Sequence, residues 1–115
     1  MLSRLIIVSC ILSVLSSCHS EDHADLFVGD HLKMVIKEQD YPYFKTYNKA
    51  ASNDSKAIES FLLFIEQTDG EASFDHSSNI ERLGKSIGND KLIIVAKKLN
   101  SPVLDSVITS IKNNK

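Results

Sequence analysis

Residues 101–112 read Ser-Pro-Val-Leu-Asp-Ser-Val-Ile-Thr-Ser-Ile-Lys, and this stretch decides the fold class. Ser101 is a good N-cap because its side-chain oxygen can accept from an orphan amide, and Pro102 suits the first helical position, where its missing N–H goes unneeded. Leu104, Val107, Ile108 and Ile111 then recur at i, i+3, i+4 and i+7, while Asp105, Ser106, Thr109 and Lys112 occupy the other side. That period of 3.6 describes a helix with one apolar side to bury.

The same pattern extends backwards along the chain. Leu92, Ile93, Ile94 and Val95 are an apolar, largely β-branched run that a buried strand would also use. A helix is the better reading, because Asn89 and Asp90 provide a cap, the pattern continues through Ala96 and Leu99, and no partner strand is evident. Between Thr68 and Ile87 two capping boxes compete. Thr68 with Glu71 makes one long helix whose face holds Ala72, His76, Ile80, Leu83 and Ile87; Ser78 with Glu81 leaves 69–77 as a polar loop. Gly88 closes either version as a C-cap.

Asn53 or Asp54 caps a further helix with Ile58, Phe61, Leu62 and Ile65 towards the core and Ala57, Leu63 and Phe64 widening the arc. Tyr41-Pro42 starts the helix before it, with Phe44, Tyr47 and Ala51 on one side. Val28, Leu32, Val35 and Ile36 form the first stripe, which ends before Asp40. The expected fold is all-α, a small helical domain over residues 26–115 of about five or six short helices. Lys49, Asn53, Asp54 and Ile58 return as Lys85, Asn89, Asp90 and Ile94 at a common offset, which raises a second architecture of stacked antiparallel helix pairs. The echo fails where Phe61 and Leu62 fall opposite Lys97 and Lys98.

The first eighteen residues follow a different rule. Arg4 is a short positive region, and Leu5 to Leu15 is interrupted only by Ser9, Cys10 and Ser13. A spanning helix needs about 20 apolar residues, so this run suits the core of a cleavable leader. Leu15, Ser16, Ser17 and Cys18 follow it, an aliphatic residue and two small ones before a cysteine. Here the chain resembles the bacterial lipoproteins, whose lipobox has this form. The resemblance implies cleavage between Ser17 and Cys18, removal of 1–17 as signal peptide, and lipid on the Cys18 sulfur. Membrane partnership then runs through Cys18, and the second cysteine, Cys10, leaves with the leader, so lipidation also accounts for an otherwise unpaired thiol. Residues 18–25 read as the lipidated cysteine and a polar tether. His19 stands where the family's inner-membrane retention aspartate would be, which points to the outer membrane, facing the periplasm, in a Gram-negative cell.

Charge narrows the partners. All 15 acidic residues follow Cys18, and 12 of the 13 basic ones do, so the mature part carries −3 and offers no basic stripe for phosphate backbones. Nucleic acid binding is not expected. Asp69, Glu71, Asp75 and His76 are the one dense group of candidate ligands or acid-base residues in the body. They fit neither a zinc spacing nor the calcium loop with its bidentate glutamate, and helix-start roles account for Glu71 and Asp75. No metal, cofactor or catalytic set is therefore assigned. With no nucleophile elbow, HExxH or phosphate loop among only four glycines, the sequence leans away from an enzyme and towards binding. Tyr41 and Tyr43 are the candidate protein interface, since a tyrosine ring pairs apolar area with a polar tip. The functional expectation is a noncatalytic module that binds an envelope or periplasmic protein, an immunity protein against a periplasmic toxin being one form of it. Its competitors are an envelope-maintenance or assembly factor recognising cell wall or lipid, and a small metal-dependent enzyme centred on Asp69 to His76.

Overall fold

A computed structural model describes residues 26–114, which form six α-helices and one 3₁₀ turn, with no strand among them. In chain order they are α1 (Asp30–Glu38), α2 (Tyr43–Ala51), α3 (Ser55–Leu63), the 3₁₀ turn (Phe64–Gln67), α4 (Gly70–Ile87), α5 (Asn89–Leu99) and α6 (Pro102–Asn113). The 18-residue α4 is the central element: α1, α2, α5 and the 3₁₀ turn all pack on it. A hairpin of α2 and α3 lies alongside, and α6 closes the other end on α5 and the 3₁₀ turn. None of the described helices is long and apolar enough to cross a membrane.

Local chemistry accounts for the boundaries. Asp54, rather than Asn53, caps α3 by accepting from the Ala57 N–H at 3.1 Å. Asn53 instead takes the left-handed turn at φ +70° and binds Lys91 Nζ at 2.7 Å. Ile58, Phe61, Leu62 and Ile65 are all fully buried, as their spacing requires. The segment after Thr68 is the long helix, yet its capping box does not form. The Thr68 hydroxyl donates to the Ile65 carbonyl at 2.8 Å, and Asp69 holds the N-cap position without a side-chain bond. Gly88 sits at φ +97°, a conformation that strains any residue with a Cβ, and a single glycine thus ends α4 and begins α5. Asn89 and Asp90 accordingly lie inside α5 and do not cap it.

The face of α2 is turned by one residue from the expected one. Tyr43, Thr46, Tyr47 and Ala50 are buried, whereas Phe44 is exposed and Ala51 half-buried. The internal echo does not carry the packing either: Ile58 is fully buried while its counterpart Ile94 is 57% exposed.

The carboxy-terminal helix forms as its sequence dictates. Ser101 Oγ accepts from the Leu104 N–H at 3.3 Å, Pro102 opens the helix, and Leu104, Ile108 and Ile111 are buried with Val107 half-buried. Ser101 is itself buried, so Ser101→Ala leaves the Leu104 amide without its side-chain acceptor. It should lower stability by about 1 kcal/mol, read as a fall in the urea midpoint. An unchanged midpoint would show that the cap contributes nothing.

Candidate functional site

Three polar residues on α4, Asp75, His76 and Asn79, are turned into the protein beside the apolar Ala72, Ile80 and Leu83. Buried polar groups persist only with partners, and here the partners form a chain. His76 Nε2 lies 2.8 Å from the Phe61 carbonyl, which can only accept, so Nε2 carries the proton. Nδ1 is then an acceptor and takes the Tyr43 hydroxyl at 2.6 Å. Tyr43 in turn accepts from Asn79 Nδ2 at 2.9 Å. The rings of Phe61, Phe64 and Tyr43 surround the imidazole at centroid distances of 4.7, 5.3 and 5.4 Å. Removal from water pushes the His76 pKa down to about 4, against a smaller opposing effect of the Phe61 carbonyl. Burial likewise pushes the Tyr43 hydroxyl above its ordinary value, so the pair is neutral at pH 7.

The chain leading into α1 is fastened to this network. Asn79 Oδ1 accepts from the Phe27 N–H and Nδ2 donates to the Phe27 carbonyl, both at 2.8 Å, as a neighbouring strand would. Two residues on, the Gly29 N–H donates to Asp75 Oδ2 at 3.0 Å. A Cβ on Gly29 would stand 2.7 Å from that oxygen, so the close approach depends on glycine.

Beside the clamp is a surface cleft of about 330 Å³ lined by Phe27, Gly29, Asp30, His31, Glu71, Phe74 and Asp75. Phe27 is 60% exposed and Phe74 77% exposed, although both are large apolar rings. Glu71 receives His31 Nε2 at 3.0 Å across the mouth, with both side chains in solvent. Asp75 is only 8% exposed and lies at the inner wall.

The residues singled out in the sequence are thus distributed over different roles. Asp69, Glu71, Asp75 and His76 do not converge: Asp69 is an exposed N-cap, Glu71 meets His31, Asp75 holds Gly29, and His76 is enclosed by rings. Among the described residues no three His, Cys, Asp or Glu side chains come close enough to hold a metal ion. Of the candidate interface pair, Tyr43 is corrected to a core residue, while Tyr41 is half-buried. Tyr43 is 1% exposed because its hydroxyl has two buried partners, and Tyr41 stacks on Phe64 at 4.2 Å with its hydroxyl 2.8 Å from Ser60 Oγ. Ser17 and Cys18, the leader and the tether lie outside the described residues. Asn79, Phe27 and Phe74 escaped the sequence reading. Asn79 had a signal, since it falls on the apolar stripe of α4, whereas nothing local marks the two phenylalanines as surface residues. No protein-family model matches the chain, and the searches of curated proteins and of solved structures likewise found no match.

Proposed function

We propose that the chain is a lipid-anchored envelope protein, cut before Cys18 and held in the membrane through that residue. In a Gram-negative cell it faces the periplasm from the outer membrane. Its folded body is a noncatalytic module that binds another protein, an immunity protein against a periplasmic toxin being one form of it. The supporting observation for binding is the pair of exposed rings, Phe27 and Phe74, in one cleft. Each exposed phenylalanine forgoes about 1.5–3 kcal/mol of burial, which a partner surface can supply. The support for anchoring is the leader followed by Leu15 to Cys18.

Two measurements test the two halves. Cys18→Ala should abolish incorporation of labelled fatty acid and move the protein out of the membrane fraction. Continued labelling and membrane fractionation of the variant would refute the anchor. For binding, the anchored chain should recover from envelope extract a protein that, once purified, re-forms a complex of fixed stoichiometry with it. Recovery of nothing that re-forms such a complex refutes the module.

A further inference from the structure

We infer that the cleft between the start of α1 and the first turns of α4 receives an arginine side chain of the partner protein, held between Phe27 and Phe74 and directed at Asp75. This deepens the protein-binding reading and rests on it. Charge and shape together carry the inference. Asp30, Glu71 and Asp75 line the cleft, and no lysine or arginine does. One oxygen of the Asp75 carboxylate is held by the Gly29 amide, and no cation among the described residues approaches the other, although the side chain is more than nine-tenths buried. A carboxylate so placed gains most from a cation delivered with its own hydrogen-bond donors.

The exposed rings select the kind of cation. A guanidinium is planar and weakly hydrated, and it stacks on aromatic faces while its edge donates to a carboxylate; a lysine ammonium does neither as well. About 330 Å³ is room for one long side chain and its neighbours, which suits an anchor residue at the centre of a larger interface. The acidic lining repels anionic lipid headgroups, which favours a cationic side chain over a lipid surface as the occupant.

The test uses the full chain in zwitterionic lipid nanodiscs, titrated with N-acetyl-arginine-N-methylamide and followed by two-dimensional NMR. The citrulline analogue, of the same shape without the charge, is the control. Arginine should give saturable shifts confined to Phe27, Gly29, Glu71, Phe74 and Asp75, and citrulline should not. Phe74→Ala and Glu71→Gln, both at solvent-exposed positions that leave the buried network intact, should each weaken binding about two- to fivefold. The double variant should weaken it by about tenfold or more. Equal responses to arginine and citrulline, indifference to both substitutions, or shifts spread over other faces would overturn the inference. So would contacts between the two phenylalanines and lipid acyl chains without any response to arginine. A purified partner that binds the double variant as tightly as the wild type also removes the cleft from the interface, and it leaves the protein-binding reading standing. A response to arginine with no partner recovered leaves a guanidinium site in the cleft but removes the protein-binding reading, and with it a partner protein as the source of the arginine.

Discussion

Acidification from pH 6.5 to pH 4 is expected to remove about 3 kcal/mol of stability through His76 alone. The sign follows from the direction of the shift. His76 binds its second proton at about 4 in the folded chain and near 6.5 when unfolded, so between those values the unfolded state holds more protons. Stability is complete above 6.5, falls by up to about 1.4 kcal/mol per pH unit as pH drops, and loses no more to this group below 4. The physical cause is burial, which disfavours the charged imidazolium, and a proton on Nδ1 would also displace the hydrogen bond that this nitrogen accepts from Tyr43. Against a typical 5–15 kcal/mol for a domain, the loss is large. Urea unfolding at pH 7, 5.5 and 4 measures it, with His76→Gln as the comparison. Carboxylates titrate near 4 too, so the diagnostic part is the slope between 6.5 and 5. A wild-type midpoint flat over that interval, or a slope that His76→Gln retains, would exclude His76 as its origin.

Phe61→Ala should cost about 3–5 kcal/mol, the usual toll for emptying a fully enclosed aromatic site. Phe61 is fully buried on α3 with the rings of His76, Tyr43 and Tyr47 at 4.7, 5.1 and 5.3 Å, so three neighbours lose contact at once. Two of them, His76 and Tyr43, are held by the hydrogen-bond chain from Phe61 to Asn79 and cannot collapse into the space without breaking it. The internal control is Phe74→Ala, the same chemical change at a ring 77% exposed, which should shift stability by under about 0.5 kcal/mol. Urea midpoints of the two variants decide the matter, and similar values for both would mean that the enclosed ring is not part of a fixed core.

The helices were legible because each writes its period and its ends locally. Ser101-Pro102, Asp54 and Gly88 act within four residues of themselves, and the stripes they bound bury the expected side chains in α3 and α6. The register of α2 was not legible for the opposite reason. Phe44 is the more apolar residue, yet Tyr43 turns inward, because a buried hydroxyl requires partners and these are His76 and Asn79, more than 30 positions away. Local hydropathy cannot carry that information. The residues from Asp69 to His76, adjacent in sequence, part in the structure for a related reason. Consecutive residues on a helix point about 100° apart, so Asp75 reaches the surface cleft while His76 enters the core. The exposed Phe27 and Phe74 come to line one cleft only when α1 docks on α4, a contact between segments separated by more than 40 residues.

The clamp on Phe27 and Gly29 also decides how the domain would bear a mechanical load. A pull transmitted from the amino end arrives, among the described residues, first at the two Asn79 bonds to Phe27 and then at the Asp75 bond to Gly29. Those links fasten the incoming chain to the longest helix, so tension is passed into α4 before it can peel α1 away. Exchanging Asn79 for an apolar residue would leave the Asp75 bond to Gly29 and the buried Leu26 as the restraints, and the body would begin to unravel from its amino end.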